Sequence, residues 1–514
     1  MLLAWESEEV RAAEAPLLAA GVPLMDRAAF ALAVAVAREL RARRGRVGGA
    51  RVVLLVGAGN NGGDALHAGA HLARRGAAVL AVLTSTRVHE GGLAALVAAG
   101  GRVLPASDEA GDDETTAARA ADEAARADVV LDALLGIGGR GALRGLGGAL
   151  VRALQARGVG VGGGAGREAG EPLVVAVDVP SGTGVDDGTL PGPVLAADLT
   201  VTFGGAKPGL LLPPAAVLAG RVEVVDVGLT SLADVPPAVA RLDVDDVAAL
   251  WPVPGAQAQK YTRGVLGVVA GTRAYPGAAV LATGAAVRAG AGMVRYLGDV
   301  ADAVLAAHPE VVVGPGRVQA WVLGPGVDGA DEAQTARVAD TLDEALRTGI
   351  PAVVDAGALA RLPDRVGPLV VLTPHAGELA ALLAARGEPV DRAGVEAEPL
   401  RWARRAHQLT GATVLLKGAV TIVVGPGGAV YAQADGPAWL ATAGAGDVLA
   451  GLLGALLAGR AGDLADDPTL VPALAAAAAC VHGLAARVAT PGGPVSASAV
   501  AEALPATIAA VLAR

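Results

Sequence analysis

The sequence predicts an α/β protein of two domains, each built on a parallel sheet, and three observations carry that expectation. At 514 residues the chain is longer than one hydrophobic core usually holds, since domains run to roughly 100–200 residues. Arg51–Val56 (RVVLLV) is an unbroken apolar, β-branched run, as a strand buried on both faces requires. Similar runs at 78–83, 129–133, 173–177 and 199–203 are separated by Ala/Arg/Glu-rich segments of helical length, an alternation that implies right-handed βαβ crossovers. The first half is therefore Rossmann-like.

Gly158–Gly170 (GVGVGGGAGREAG) favours neither helix nor strand and reads as a flexible surface insertion, not a boundary. The boundary is expected near Thr230–Val244, where Pro236-Pro237 follows the last expected strand of the first half, 222–227, giving domains 1–229 and 240–514. Beyond it the alternation resumes with runs at 265–270, 320–323, 352–355, 369–372 and 414–416. No sequence repeat relates the halves.

Composition narrows the partners. A net charge of −10 argues against nucleic acid, whose binders present basic faces, so any bound phosphate must be held locally. The longest apolar stretches, 448–459 and 471–481, are Gly- or Ala-rich and end at Arg460 and His482, short of the ~20 strongly apolar residues that span a bilayer. No membrane partner is expected. Glu6, Glu8 and Glu9 stand where a secretory leader would be basic, so a cytoplasmic location is expected. The single cysteine, Cys480, lies in an alanine-rich run and is expected to be buried and inert. Lys207, Lys260 and Lys417 are the only lysines and Asn60 and Asn61 the only asparagines, which suggests a local need for each.

The run RVVLLV leads into Gly57-Ala58-Gly59-Asn60-Asn61-Gly62-Gly63-Asp64 and then a helix-like segment through Arg75. Glycines let the backbone turn sharply towards a ligand, and a helix N-terminus offers free N–H groups to phosphate. Four glycines, two amides and a carboxylate exceed what a structural strand-to-helix turn uses. Asp132-Ala-Leu-Leu-Gly136-Ile-Gly138 and Asp178-Val-Pro-Ser181-Gly182 also follow expected strands. Strand C-termini of a parallel sheet share one edge, so Asn61, Asp132 and Ser181 are expected to converge there. Their oxygens, with backbone carbonyls, suit a hard cation and leave Asp178 free as acid or base. Taken singly, Asp132 or Asp178 reads as a helix cap or turn residue.

In this order, Gly59–Asp64, Asp132–Gly136, Asp178–Gly182, Thr200–Phe203 with Lys207-Pro-Gly209, and Asp226-Val-Gly228 resemble the NAD(P)H-hydrate epimerase family over most of 1–229. The resemblance implies interconversion of the R and S hydrates of NADH and NADPH at C6 of the damaged nicotinamide ring. It implies hydrate contacts from Asn60, Asn61, Gly62, Gly63 and Asp64 and from Gly136, Ile137, Gly138, Gly139, Arg140, Gly141 and Ala142. It further implies that Asp178 binds the hydrate and acts as general acid/base, and that Asn61, Asp132 and Ser181 ligate a potassium ion. Ala65 departs from the family's usual glycine and is expected to bring a Cβ close to the ligand-facing backbone.

In the second half, Ala441-Thr-Ala-Gly-Ala-Gly-Asp447 opens an apolar helix expected over 448–457, where free N–H groups and the helix dipole favour a phosphoryl group. A carboxylate beside phosphate costs Coulomb energy, so Asp447 points to a base for a substrate hydroxyl, although first-turn carboxylates also occur for dipole reasons alone. Lys417-Gly418 would bring a cation to the same edge. Thr373-Pro374-His375-Ala-Gly-Glu378 offers a turn and polar groups, with His375 a loop histidine given no proton-transfer role, and Gly324-Pro-Gly326 offers close backbone approach.

With Lys260-Tyr-Thr-Arg-Gly264, Tyr275-Pro-Gly-Ala278 and Pro309-Glu310-Val-Val, these motifs resemble the ADP-dependent NAD(P)H-hydrate dehydratase branch of the ribokinase-like superfamily over about 255–510. The resemblance implies a ribokinase-like fold and dehydration of the S hydrate. It further implies that the C6 hydroxyl is phosphorylated with Asp447 as base and then eliminated as phosphate, with ADP as co-substrate and Mg²⁺. Gly326, His375, Ala376, Gly377, Glu378, Leu379, Ala380, Ala381 and Asp447 would face the hydrate. Lys417, Gly418, Ala419, Val420 and Thr421, with Pro437, Ala438, Trp439, Leu440, Ala441, Thr442, Ala443, Gly444, Ala445 and Gly446, would hold ADP. Gly357, where the family often has Asp, and Asp328, where it has Gly, are departures.

Hydration yields both epimers and the dehydratase accepts one, so the fusion reads as a bifunctional repair enzyme forming NAD(P)H, AMP and phosphate. A homo-oligomer is expected. The alternatives are a ribokinase-like kinase for a small vitamin precursor, and a non-catalytic ligand- or partner-binding N-terminal module.

Overall fold

In the computed structural model, which describes residues 1–106, 113–139, 141–162 and 170–513, the chain divides into two compact units. One is Leu3–Ala238; the other is Val239 to the C-terminus with Met1–Leu2. Part of the Gly-rich insertion, 163–169, and the expected hydrate contact Arg140 lie outside the described residues.

A short strand, β1 (Leu2–Ala4), bridges to Ala206 through Ala4. The first unit's sheet uses β2 (Arg51–Val56), β3 (Ala78–Leu83), β4 (Arg102–Leu104), β5 (Val129–Ala133), β6 (Leu173–Val177), β7 (Leu199–Phe203) and β8 (Arg221–Val225). Their order is β4-β3-β2-β5-β6-β7-β8, with every pairing parallel. The five long apolar runs are all strands; β4, only three residues long, was too short to stand out, and the strand expected at 222–227 ends at Val225. Successive side chains of β2 enter opposite layers: Val52, Leu54 and Val56 join one core cluster, Val53 and Leu55 the other. Thr230–Ala238 stays with this unit beyond the expected limit at 229, because Trp5 Nε1 donates to the Val235 carbonyl (2.9 Å), Ala238 N donates to Ala4 O (2.9 Å) and Leu232 is packed in the core.

The second unit contains β9 (Val239–Arg241), β10 (Val265–Val269), β11 (Met293–Tyr296), β12 (Val312–Val313), β13 (Ala320–Leu323), β14 (Ala352–Val354), β15 (Val370–Leu372), β16 (Thr413–Leu416), β17 (Thr421–Val424) and β18 (Val430–Gln433). They run β9-β18-β17-β16-β15-β14-β13-β10-β11-β12. From β16 to β12 the pairings are parallel, but β16, β17 and β18 pair antiparallel, so the sheet is mixed where a parallel one was expected. The physical reason is local: only four residues separate β16 from β17, too few for a crossover, and the turn from β17 to β18 passes Gly427 at φ 69°. The apolar helix expected over 448–457 extends over Ala445–Gly459.

The run expected to end at His482 continues as one helix, Val471–Ala489. With Pro468 included it has the length and composition of a membrane span, yet 72% of its apolar window is buried inside the protein. Cys480 is buried on this helix, and burial raises its thiol pKa.

The first unit's strand-to-helix turn is a backbone contact. A Cβ on Gly57 would overlap the Leu134 carbonyl oxygen, and one on Gly62 would overlap the Gly57 carbonyl oxygen. Gly57→Ala is expected to destabilise this unit by about 1–3 kcal/mol through overpacking; an unchanged urea midpoint would show that the loop after β5 yields freely.

Candidate active sites

In the first unit the loops after β2, β5 and β6 meet at one sheet edge. The helix Asn60–Arg74 starts there, and Asn61 Nδ2 donates to the Val177 carbonyl at 2.6 Å. The Asp132 carboxylate accepts from Ser181 N at 2.9 Å, and Ser181 Oγ accepts from Leu135 N at 2.9 Å. Gly136 abuts Asn61 so closely that a Cβ there would overlap Asn61 Oδ1. Asp132 and Ser181 are thus in direct contact, and Asn61 reaches the same sheet edge against Val177 and Gly136. Burial raises the Asp132 pKa, partly offset by hydrogen bonds from Ser181 and Leu134.

Asp178 follows β6 with φ 70°, left-handed backbone that costs a non-glycine residue energy. Its Oδ1 accepts from Lys207 Nζ at 2.5 Å and from Thr202 Oγ1 at 2.9 Å, while Lys207 Nζ also donates to the Phe203 carbonyl at 3.0 Å. Lys207 is 1% exposed and Asp178 4%. This pair forms one side of a cavity of about 130 Å³ lined also by Asn60, Asn61, Asp64, Ile137 and Glu14, with apolar wall from Leu18, Leu24, Met25 and Phe203. Burial first, then the negative charges of Asp178 and Glu14, push the Asp64 pKa well up.

Of the expected hydrate contacts, Asn60, Asn61, Asp64, Ile137 and Asp178 line this cavity; Gly62, Gly63, Gly136, Gly138, Gly139, Gly141 and Ala142 do not. Ala65, expected to crowd the ligand, instead points into the core at 0% exposure, because the helix turns that face inward. Lys207 was visible in the sequence as one of three lysines, but its ion pair was not. Glu14 had no motif to mark it.

In the second unit Lys417, one residue past β16, sets Nζ 2.8 Å from Asp355 Oδ1 and 3.8 Å from Glu378 Oε2. Asp355 follows β14 and also accepts from Thr373 Oγ1 at 2.8 Å. The helix Ala445–Gly459 begins against this group: a Cβ on Gly446 would lie 3.3 Å from Lys417 Nζ and 4.0 Å from Asp355 Oδ2. At its N-cap Gly444 adopts φ 86°, and a Cβ there would meet Leu281 Cδ1 at 2.6 Å. Burial, then the Asp355 charge, raise the Asp447 pKa to about 7 against the lowering effect of Lys417. Burial lowers the Lys417 pKa, but Asp355, Glu378 and Asp447 outweigh it and the net shift is upward. His482, buried near the Ala445 backbone, is held neutral, burial lowering its pKa to about 4.

His375 is a helix cap. Its Nδ1 accepts from Gly377 N (3.0 Å) and Glu378 N (3.2 Å), and Glu378 Oε2 accepts from His375 N (2.8 Å). Leu379 and Ala380 are buried, leaving His375, Ala376, Gly377, Glu378 and Ala381 at the surface of that turn. Gly326 (φ 63°) packs on Ala278 with no room for a Cβ. Gly418, Ala419, Ala438, Trp439, Ala441 and Ala443 are exposed around the helix start, Thr421, Pro437, Leu440 and Thr442 half-buried, and Val420 and Ala445 buried. At Gly357 any Cβ would overlap the Val327 carbonyl oxygen, and Asp328 Oδ1 accepts from Ala330 N (3.2 Å) and Asp331 N (3.3 Å) to turn its loop. A cleft of about 710 Å³ lined by Trp251, Leu456 and Ile508 contains none of these residues.

A family model described as YjeF-related protein N-terminus matches residues 22–209, and one described as NAD(P)H-hydrate dehydratase matches 266–505. A bifunctional NAD(P)H-hydrate repair enzyme of Mycobacterium tuberculosis is 47% identical over 467 residues, 88% of this chain and 88% of its own. This chain belongs to the bifunctional NAD(P)H-hydrate repair enzyme family. An NAD(P)H-hydrate epimerase of Clavibacter michiganensis is 48% identical over 228 residues, 44% of this chain and 90% of that protein. Among solved structures, an ADP/ATP-dependent NAD(P)H-hydrate dehydratase of Bacillus subtilis, co-crystallised with ATP and Mg²⁺, is 28% identical and covers 53% of this chain and 99% of its own, with a TM-score of 0.46. In this member of the repair-enzyme family each family model falls within one unit.

Removing one partner of a buried ion pair leaves an uncompensated charge, which costs about 3–5 kcal/mol. Lys207→Ala is therefore expected to lower the stability of the first unit by that amount, read as a shifted urea midpoint; no shift would mean that water reaches Asp178 in the folded protein.

Proposed function

We propose that the first unit interconverts the R and S hydrates of NADH and NADPH, and that the second dehydrates the S hydrate with ADP and Mg²⁺, releasing AMP and phosphate. The observation that carries this reading is Asp447, a half-buried carboxyl with pKa about 7 at the open N-terminus of a helix, beside the Lys417 ammonium. Free N–H groups and Lys417 suit the ADP phosphates, and a base poised near neutrality suits removal of the C6 hydroxyl proton as that oxygen takes the phosphoryl group. Elimination of phosphate then restores the dihydronicotinamide. Asp355 and Glu378, whose carboxylates also face Lys417, would be the hard-oxygen ligands for a phosphate-bound Mg²⁺, which would neutralise phosphate charge. Membership over both halves of the chain, rather than over the second alone, disfavours the vitamin-precursor kinase.

In the first unit Asp178 serves as acid/base towards the hydrate. Asn61, Asp132 and Ser181 suit potassium: Asp132 is 1% exposed and its hydrogen-bond donors are neutral, so a monovalent cation would offset the buried charge.

Single substitutions separate the two steps. Asp447→Asn should cut dehydration by about 10²–10⁴-fold while R and S hydrates still interconvert. Asp178→Ala should dehydrate the S hydrate normally and leave the R hydrate behind; if it still consumed both at the wild-type rate, the first unit would be a binding module. Asp447 must be ionised to accept a proton, and its pKa is raised, so dehydration should be full above pH 7 and decline as pH falls through about 7. A flat profile between pH 8 and 6 would exclude Asp447 as the base.

A further inference from the structure

The helix Ser7–Ala19 carries none of the chain's glycine-rich motifs, yet its Glu14 and Leu18 line the first unit's cavity. Ser7 donates through N and Oγ to the Asp186 carboxylate, both at 2.7 Å, and Arg11 donates to the Ile137 carbonyl at 2.5 Å. Residues spaced three and four apart share a helix face, so the face holding Ser7 and Arg11 also carries Glu14 and Leu18, and both line the cavity. An apolar side chain would seal this face more cheaply than a half-buried glutamate. Asp178 and Lys207 come from the sheet edge and Asp64 from the helix Asn60–Arg74, so Glu14 approaches from a third element.

We propose that Glu14 is a second catalytic residue of the epimerisation, the general acid that works with Asp178. The proposal rests on the epimerase reading of this site. The hydrate is a hemiaminal, with a hydroxyl on C6 beside ring nitrogen N1. Asp178 takes the hydroxyl proton, the C6–O bond becomes a carbonyl, and the C6–N1 bond breaks with its electron pair passing to N1, which takes the Glu14 proton. Rotation about C5–C6 presents the other face of the aldehyde. N1 then attacks, returns its proton to Glu14, and the new alkoxide recovers the proton from Asp178. Each carboxyl regains its starting state, and no other reactant is consumed.

The charges facing Glu14 fit a proton donor. Lys207 and, on its own helix, Arg11 favour its ionisation, Asp178 opposes it from the sheet edge, and Glu14 in turn raises the pKa of Asp64 on the neighbouring helix. Burial is the largest influence and the net effect raises its pKa. Burial, with the nearby Asp178 charge, favours the protonated forms of Glu14 and Asp64.

The test is the rate of R-to-S conversion by the full-length Glu14→Gln protein, with dehydration of the S hydrate measured in the same preparation as a control for folding. Conversion should fall about a hundredfold in kcat with KM for the hydrate little changed, and the decline of wild-type epimerisation at rising pH, where Glu14 loses its proton, should disappear. Glu14→Asp, which keeps a titrating acid, should recover part of the rate. Wild-type kcat and pH profile in Glu14→Gln would overturn the proposal while leaving the epimerase reading intact; a wild-type protein that never converts the R hydrate would overturn both.

Discussion

Each unit turns on a lysine–aspartate pair just beyond the C-terminal ends of its strands. Lys207 with Asp178 and Lys417 with Asp355 set one ammonium against one carboxylate where water is scarce. Neither pair needs to add stability, because the cost of taking two charges from water cancels much of their attraction. What they do is fix a charge pattern. Beside each pair stands a further carboxyl, Asp64 in one unit and Asp447 in the other, that burial and a like-charged neighbour hold towards its protonated form. Asp447, raised to about 7, can exchange protons near neutral pH, which an exposed carboxyl cannot do well.

The backbone makes this arrangement possible. Gly57, Gly62 and Gly136 occupy places where a Cβ would overlap a carbonyl oxygen or the side chain of Asn61, so the loops of the first unit close on one another without side chains between them. In the second unit a Cβ on Gly444 would overlap Leu281, and one on Gly446 would crowd Lys417 Nζ at 3.3 Å. Fold and site are therefore coupled: the glycines that let a helix start against a strand end also leave its N–H groups open towards a ligand.

Much of this was legible in the sequence because strongly periodic or strongly biased segments report their own structure. RVVLLV read as a doubly buried strand, and the loops after β2, β5 and β6 had to share an edge once the sheet was parallel. The only asparagine pair and two of the three lysines mark the sites. What was hidden depended on distant parts of the chain. β4, β12, β17 and β18 are two to four residues long and gain their form from neighbours already in the sheet. The antiparallel turn after Lys417 followed from a short connection rather than from apolar pattern. Ala65 looked like an obstruction next to the motif, but its helix faces it to the core. Glu14 sits some 50 positions before Asp64 in an unmarked helix, and the core packing of Val10 and Ala13 with the bonds of Ser7 and Arg11 brings it to the cavity.

Full repair of a mixed hydrate requires both sites to be chemically complete within one chain. An equimolar mixture of R and S hydrates, given to the wild-type protein with excess ADP, Mg²⁺ and K⁺ and followed by reduced-nicotinamide absorbance, tests that directly. Recovery should continue, through a fast phase and a slower one, until all of the hydrate has returned to NAD(P)H. A plateau at half of it would mean that the first unit performs no catalysis.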